Sequence, residues 1–471
     1  MIAFSVPTAC RRATARGAAR IPFRVSGVGR ASLALLLGAV ITLAVPRGHA
    51  QDAPAAPTTP APLVVDPDSA AALAVKNSIQ LQIDAQTVAE AEAQLKQAWA
   101  MNGVSADASV AGLYQGPKPP LPADFSSFFV TLSHSETLSA SKPLWLGGKL
   151  EAALDQARTG LKLARTSAEV TRLALAKMAR DAVLKLGLDE RLEAVDYATL
   201  AGLMEHERVS DKRYREGLVA FFEVAQAQAQ VAAQQRIIAE KGQDIVKDRT
   251  LLCRILNVPQ TTPIEVGVGR FPERPKGQLD EVIAYALDHR PEMNRARRGV
   301  ELAEATVRAT RRGLRPNVVV SAQVQNQTAS VLSAGVSYQV VLAFQQPIWD
   351  GGQKNAQVKQ QLARLQESQR AMEQMAVQVA QEVAEQYLQL DLLQKRIAAA
   401  EVEERAALEQ LRIARLRFQE DLGLGEEAIT AQAAVSRAQN ARANAESDLQ
   451  TAISRLRAAM GMADLQEATP Q

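Results

Sequence analysis

One seven-residue phrase occurs twice in this chain, and the repeat behind it constrains the fold more than any other feature. The sequence reads KPLWLGG at residues 142–148 and QPIWDGG at residues 346–352, which is an offset of 346 − 142 = 204 residues. The same offset aligns Arg213 with Arg417, Tyr214 with Phe418, Leu218 with Leu422, and AQA at 227–229 with AQA at 431–433. Upstream, an offset of 212 aligns AEA at 91–93 with AEA at 303–305. Because this period is far longer than a solenoid repeat, the pattern indicates a duplicated domain.

The first fifty residues have the composition of a targeting segment. Residues 1–50 contain seven arginines and no acidic residue, with an apolar run from Ala31 to Val45 and small residues at Gly48 and Ala50. This order is typical of a secretory signal peptide, and the apolar run is too short for a comfortable membrane span. We therefore predict cleavage after Ala50 and a mature chain that begins at Gln51.

Removing that segment changes what the composition implies. The full chain has 54 basic and 51 acidic residues, so the mature chain keeps 54 − 7 = 47 basic residues and has a net charge of −4. A net acidic chain argues against nucleic acid as a partner. The three remaining histidines, His134, His206 and His289, have no metal-ligand spacing, and no nucleophile motif or phosphate loop occurs. We expect no enzyme activity, no catalytic residue, no cofactor and no bound metal.

Each copy shows the same order of elements. In the second copy, residues 291–312 are helical in pattern, 317–327 and 336–347 alternate between apolar and polar residues as strands do, and 353–417 lacks Gly and Pro. A returning helix is predicted over 427–461. In the first copy the predicted counterparts are strands around Val104–Tyr114 and Phe128–Leu132, a long helix over 149–213 interrupted at Gly160 and Gly187, and a returning helix over 220–257. His134 and Glu136 fall where apolar residues are expected, which predicts a bulge or a position below the bilayer.

The repeated phrase is predicted to be the joint between a strand and a long helix. Glycine permits an abrupt change of direction, proline ends strand pairing, and tryptophan suits a membrane–water interface. The junction residues are Pro143, Trp145, Gly147 and Gly148 in the first copy, and Pro347, Trp349, Gly351 and Gly352 in the second. The alternative is that both tryptophans are ordinary core residues.

This arrangement resembles the TolC-like outer-membrane efflux channel family over about residues 69–461. The resemblance is strongest in the two Trp-Gly-Gly junctions and in RYREGLVAFFEVAQAQAQ at 213–230. It implies a mainly helical fold with a small β part, in which long coiled-coil helices and four amphipathic strands per chain form a homotrimeric twelve-stranded outer-membrane β-barrel and a periplasmic helical tunnel. In the second copy Asp421 replaces the glycine that the family has at this turn.

The resulting domain organisation has six segments. We predict a signal peptide at 1–50, a disordered Pro/Ala linker at 51–68, a first repeat at 69–257, an equatorial linker segment at 258–290, a second repeat at 291–461 and a disordered tail at 462–471.

The predicted function is a passive exit duct in the outer membrane of a Gram-negative bacterium, serving tripartite efflux or type I secretion. The expected partners are two further copies of the chain, a periplasmic adaptor, an inner-membrane pump and outer-membrane lipid. Alternatives are a periplasmic adaptor or a soluble coiled-coil scaffold of an export complex. Adaptors usually have one hairpin and an anchor, whereas this sequence has two hairpins and four amphipathic strands.

Two sites are predicted near the hairpin tips. Gly217, Leu218 and Val219 are small or apolar residues at an exposed turn, so we expect an adaptor to cover them; a plain helix–helix turn is the alternative. By the resemblance, the docking tip also includes Arg213, Tyr214, Arg417, Phe418 and Leu422. The equivalent acids Glu223 and Glu427 are predicted to line a pore constriction, where six carboxylates in a trimer would favour cations. Alternatively, each acid pairs with an arginine such as Arg213 or Arg417.

Overall fold

The computed structural model describes residues 62–114, 132–267, 274–275, 277–328, 335–420, 422 and 425–462. All of them belong to one compact unit that extends from Pro60 to Gln471. The predicted signal peptide, most of the 51–68 linker and residues 463–471 of the tail lie outside the described residues, as do Phe128 and Val130 of the predicted first-copy strand.

The described elements follow the predicted order twice. In the first copy they are β1 (Leu63–Val65), α1 (Pro67–Asn77), α2 (Ile79–Ala100), β2 (Ser105–Tyr114), β3 (Leu132–Trp145), α3 (Lys149–Arg215) and α4 (Phe221–Leu256). The linker segment then contains β4 (Ile264–Val266) and α5 (Leu279–His289). The second copy contains α6 (Pro291–Arg312), β5 (Asn317–Thr328), β6 (Gly335–Gln345), α7 (Gln353–Gln419) and α8 (Gly425–Ala459).

Helices α3 and α7 have 67 residues each, which corresponds to about 100 Å of α-helix. The interruptions predicted at Gly160 and Gly187 do not occur, because α3 continues through both residues. A Cβ atom on Gly187 would lie 3.3 Å from Cγ1 of Val266. Gly187 therefore allows β4 to approach the helix closely, and the cost of a glycine inside α3 is offset by that contact.

The start of the described chain differs from the predicted disordered linker, because residues 63–68 are ordered into β1 and the first turn of α1. Oδ1 of Asp66 accepts a hydrogen bond from the amide of Ser69 at 2.6 Å, and Oγ of Ser69 accepts one from the amide of Asp66 at 2.9 Å. This reciprocal cap satisfies donors that a helix start leaves unpaired. The backbone hydrogen bond from Ser69 is also the main reason that the pKa of Asp66 is lowered.

Four strands form one antiparallel sheet in the order β2-β3-β5-β6, so the two copies are joined through β3 and β5. The apolar alternation predicted for β5 and β6 lies on a single face, since Val320 is opposite Leu342 and Val324 is opposite Tyr338. Glu136 and His134 lie on this same face, in a regularly paired part of β3, so the bulge predicted near them is absent. The irregularity occurs instead between Pro143 and Trp145.

Two cores repeat the same positions. The first is built from β1, α1, α3, α4 and β4, and the second from α5, α6, α7 and α8. The fully buried Leu186 and Leu252 of the first core correspond, at the offset of 204, to the fully buried Leu390 and Leu456 of the second. The duplication is thus present in the packing of the interior as well as in the surface phrases.

The predicted equatorial segment 258–290 is divided between these cores. Its strand β4 pairs in parallel with β1, as in Val65 opposite Val266, and belongs to the first core. Its helix α5 places Val282 and Ala286 in the second core. Across the part of the chain that the structure describes, none of the helices has the length and apolar character that a membrane crossing requires.

Candidate functional site

The tip of the first hairpin is closed by a glycine in the left-handed region. Gly217 has a φ of 74°, and its amide donates to the carbonyl of Tyr214 at 3.0 Å. The amide of Leu218 donates to the carbonyl of Arg213 at 2.9 Å. This pair of bonds is the Schellman arrangement, which satisfies the last carbonyls of a helix and favours glycine at this position.

The second tip contains the equivalent of one of these bonds. The amide of Leu422 donates to the carbonyl of Arg417 at 2.8 Å, which matches Leu218 and Arg213 at the offset of 204. Asp421, at the position of Gly217, lies outside the described residues. The long-range bond of the turn is therefore the same in both copies although the glycine is not.

Aromatic and aliphatic side chains are exposed around the first tip. Leu218 is 57% exposed, and the rings of Tyr214 and Phe221 lie 5.7 Å apart with Phe222 exposed beside them in sequence. Phe221 and Phe222 are not among the residues predicted for the docking tip, although two adjacent phenylalanines at a turn are a signal for an exposed apolar surface. An exposed apolar cluster of this kind is typical of a surface that a partner covers.

Phe418 does not belong to that exposed surface, contrary to the prediction that placed it in the docking tip. It is 4% exposed, and its ring lies 4.9 Å from the ring of His206 on α3. The guanidinium of Arg213 lies 4.5 Å from the centre of the Phe418 ring, and its Nη1 donates to the Phe418 carbonyl oxygen at 2.8 Å. Arg213 and Phe418 therefore join the two hairpins of one chain, instead of presenting both side chains to a partner.

A second contact between the hairpins lies at Gly202, about three turns of α3 before Arg213. Nη2 of Arg415 donates to Oε1 of Gln432 at 2.8 Å, and a Cβ atom on Gly202 would lie 2.7 Å from that oxygen. Gly202 thus leaves room for the polar pair against α3. Burial, followed by the charge of Arg415, lowers the pKa of the nearby His206 below its ordinary value of 6.5. These residues were not singled out from the sequence.

The two predicted constriction acids lie in the first turn of each returning helix. Glu223 is half-buried near the start of α4, and Glu427 is exposed near the start of α8. Within the described residues, neither acid forms an ion pair with Arg213 or Arg417. The alternative in which these pairs form inside one chain is not observed. The constriction remains a proposal, because one chain contains only two of the six carboxylates.

The two junctions have the same backbone but different surroundings. Gly147 and Gly351 have φ values of 61° and 64°, and each precedes a second glycine with positive φ at the start of a long helix. Trp145 and Trp349 are 51% and 87% exposed, so neither is a core residue in this chain.

Within one chain, strand pairing continues past the proline of the first junction and stops before the proline of the second. The strand β6 ends at Gln345, before Pro347, whereas β3 continues through Pro143 to Trp145. The structure therefore contradicts this role for Pro143.

No group of three or more His, Cys, Asp or Glu side chains within the described ranges is arranged to hold a metal ion. The one cysteine described, Cys253, is buried in the first core, and burial raises its pKa. The described surroundings of His206 are Phe418, Arg415 and the Gly425 backbone, which is a packing environment.

Comparison with known proteins gives one family and one fold. Residues 282–462 match the family described as outer membrane efflux protein. No curated protein sequence matches the chain closely enough to support a comparison.

Among solved structures, the chain is similar to the outer membrane protein VceC from Vibrio cholerae, with 21% identity, a TM-score of 0.71, and coverage of 83% of this chain and 95% of that chain. It is also similar to a membrane protein from Pseudomonas aeruginosa, with 20% identity, a TM-score of 0.72, and coverage of 83% and 89%. The CmeC outer membrane channel from Campylobacter jejuni shares 17% identity at a TM-score of 0.73, with coverage of 85% and 86%.

These findings confirm the predicted fold of long helices with four antiparallel strands. The family is one of efflux proteins of the outer membrane, which agrees with the predicted location and with the prediction that the chain is not an enzyme. The second copy of the repeat thus matches the outer membrane efflux protein family, and the fold of most of the chain is that of solved outer-membrane proteins.

Proposed function

We propose that the chain is the outer-membrane channel of a tripartite efflux or type I secretion system, acting as a passive exit duct. The observation that carries this proposal is the apolar face of the four-stranded sheet. Five side chains of β6 alternate onto that face and are each at least 64% exposed: Val336, Tyr338, Val340, Leu342 and Phe344. An open apolar face of this size requires a cover, and lipid is the cover that suits a sheet whose other face is polar.

The other face supports a water-filled interior. A cross-strand row there contains Asp107, Ser139, Gln323 and Gln339, which are paired in that order across the four strands. Polar side chains on one face and apolar ones on the other are the alternation of a transmembrane strand that lines an aqueous pore. A soluble adaptor or scaffold would leave the apolar face without a purpose.

A sheet of four strands has two open edges, β2 and β6, which a single chain leaves unpaired. Closing these edges with two further copies would give the twelve-stranded barrel that the family resemblance implies. The long hairpins would then surround a periplasmic passage, and the exposed cluster around Leu218 would meet a periplasmic adaptor bound to an inner-membrane pump.

Membrane fractionation and conductance test the proposal together. The full chain, expressed in a Gram-negative host, should appear in the outer-membrane fraction as an oligomer that resists mild detergent. The purified oligomer should conduct ions in a planar bilayer, and a heat-denatured sample provides the matched blank. Recovery as a soluble periplasmic monomer without conductance would contradict the channel and favour the scaffold.

The adaptor surface is tested by Leu218→Glu, with Leu218→Met as a control that preserves apolar character. If a partner covers this tip, the glutamate should abolish export while the amount of assembled channel and its conductance in bilayers stay unchanged. The methionine variant should export normally. Equal export by both variants would support the alternative of a plain helix–helix turn.

A further inference from the structure

The two β-hairpins pair residue for residue. In the first, Ser105 is opposite Ser141, and in the second, Asn317 is opposite Gln345. The first strands differ by 317 − 105 = 212 and the second strands by 345 − 141 = 204, which are the two offsets of the sequence repeat. The duplication thus preserves the register of strand pairing without a slip.

Within one chain, the two repeats are joined by β3 and β5, with Ser141 opposite Ser321 and Ala140 opposite Ala322. Applying the same offsets to these pairs names two other strands. Ser141 corresponds to Gln345 on β6, and 321 − 212 gives Ser109 on β2. These strands are the two outer edges of the sheet, so they cannot meet within one chain.

We infer that β6 of one chain pairs antiparallel with β2 of a neighbouring chain in a defined register. In this register Gln345 lies opposite Ser109, and Phe344 lies opposite Val110. The inference rests on the proposed function, because it names the contact that would close the channel. By the same rule Leu342 lies opposite Gly112 and Val340 opposite Tyr114.

The faces of the two strands agree with this register. Phe344 and Val110 both lie on the apolar face, and Gln345 and Ser109 both lie on the polar face. A slip by one residue would turn the apolar face of β6 to the polar face of β2 and would place Phe344, for example, opposite Ser109. Slips by two residues keep the faces, so the register itself is what an experiment must distinguish.

Within the described residues of one chain, β5 pairs with the first Trp-Gly-Gly junction, and no strand pairs with the second. Pro143 and Trp145 pair with Val319 and Val318 of β5, whereas β6 stops at Gln345. Ile348 and Trp349 are consequently 96% and 87% exposed. In the inferred contact Pro347 would lie opposite Asp107 and Trp349 opposite Ala106, so β6 would lengthen as β3 does.

The junction glycines give independent support. A Cβ atom on Gly147 would lie 2.5 Å from the carbonyl oxygen of Pro316, whereas a Cβ atom on Gly351 would meet no atom of the described residues within 4 Å. The described part of one chain therefore leaves the space beside Gly351 open, although its backbone is the same. The counterpart of Pro316 at the offset of 212 is Val104, immediately before β2. The neighbouring chain that pairs with β6 would therefore also fill the space beside Gly351.

Cysteine cross-linking tests the register in the full chain. Because neighbouring pairs alternate between the two kinds of antiparallel site, two pairs of opposite kind are needed. They are Ser109→Cys with Gln345→Cys, and Val110→Cys with Phe344→Cys. Cys253 is buried and is retained. The slipped controls combine Gln345→Cys with Ala111→Cys, and Phe344→Cys with Gly112→Cys.

The internal control is Ser141→Cys with Ser321→Cys, which should form a disulfide within one chain and no covalent oligomer. After oxidation of the detergent-purified protein, at least one in-register edge pair should give covalent oligomers on a non-reducing gel, about tenfold more than its slipped control. That result supports the inferred register.

Two results would overturn it, with different consequences. Stronger cross-linking of the slipped pairs would contradict the register but retain the edge contact on which the channel depends. If no edge pair cross-links while the internal control does, the β2–β6 contact is wrong. Native mass spectrometry of the unoxidised protein then decides the proposed function, because a single copy contradicts the channel and an oligomer contradicts only this contact.

Discussion

Arg213, near the end of the first long helix, donates a hydrogen bond to the main-chain carbonyl oxygen of Phe418, near the end of the second, at 2.8 Å. The same guanidinium lies over the Phe418 ring, whose neighbour is His206 on α3. Arg213 thus joins the two hairpin tips of one chain through a main-chain atom, in addition to the ring contact of His206 with Phe418. Because the acceptor is a main-chain oxygen, this hydrogen bond does not depend on which side chain residue 418 carries.

Replacing Arg213 by alanine should loosen this fastening. Loss of a charge-assisted hydrogen bond and a cation–π contact is worth about 1–2 kcal/mol at a partly exposed site. Amide hydrogen exchange at the end of α7 and the start of α8 should therefore become roughly tenfold faster. Arg208→Ala is the matched control, since Arg208 pairs only with Glu205 on its own exposed helix surface among the contacts described. Equal effects of the two substitutions would contradict the fastening role.

His206 makes the hairpin contact sensitive to acid. Burial, and then the charge of Arg415, lowers the pKa of His206 below 6.5 in the folded chain. The unfolded chain therefore binds a proton at a higher pH than the folded chain, so this contribution to stability is complete above about pH 6.5 and is lost as the pH falls towards the folded-state pKa. The melting temperature of the assembled protein should fall between pH 7.5 and 5.5, and His206→Phe should reduce that fall. An unchanged fall in the variant would contradict the prediction.

The acids at the starts of the returning helices should set ion preference if they line the proposed constriction. We expect the double variant Glu223→Ala, Glu427→Ala to lose cation selectivity and block by multivalent cations in planar bilayers, because like charges held together favour cations between them. Glu426→Ala is the control, since Glu426 is exposed and adjacent in the same turn. Selectivity that survives in the double variant would leave the acids as partners of arginines on a neighbouring copy.

Alanine at the two junction glycines should give different defects. Both substitutions carry the cost of a positive φ, about 1–2 kcal/mol, but only Gly147→Ala also places a methyl group 2.5 Å from the Pro316 oxygen. Gly147→Ala should therefore reduce the amount of folded chain. Gly351→Ala should leave the chain folded and lower the fraction that assembles, because in the inferred contact a second chain would fill the space beside Gly351. The yield of protease-resistant chain and the oligomer fraction measure these effects, and identical defects would contradict the distinction.

The parts of this fold that the sequence predicted are those with a local period or an internal copy. The alternation in β5 and β6 predicts that Val320 and Leu342 lie on the apolar faces of their strands, and in the structure they lie opposite each other. The long helices follow from the absence of proline and from a regular apolar stripe, whose members Val383 and Leu390 are fully buried.

The parts that were not predicted depend on contacts between distant segments. The three-residue strands β1 and β4 are too short to show a period, and Leu63 finds its partner Ile264 only in the folded chain. Gly187 resembles a helix breaker in sequence, but α3 continues through it, and the missing Cβ leaves room for Val266 of β4. Phe418 occupies a tip position in the repeat, yet its burial arises from Arg213 and His206 on the other hairpin.

The two β-hairpins keep one register although their connections differ in length. Between equivalent strand positions, residues 115–131 join the strands in the first copy and 327–335 in the second, so the connections differ by 17 − 9 = 8 residues, which is the change of offset from 212 to 204. A connection that can differ by eight residues without moving the pairs on either side is a natural place to insert foreign sequence. A short peptide tag in the first connection would make the hairpin addressable by an antibody on whole cells, and so report which side of the envelope it faces.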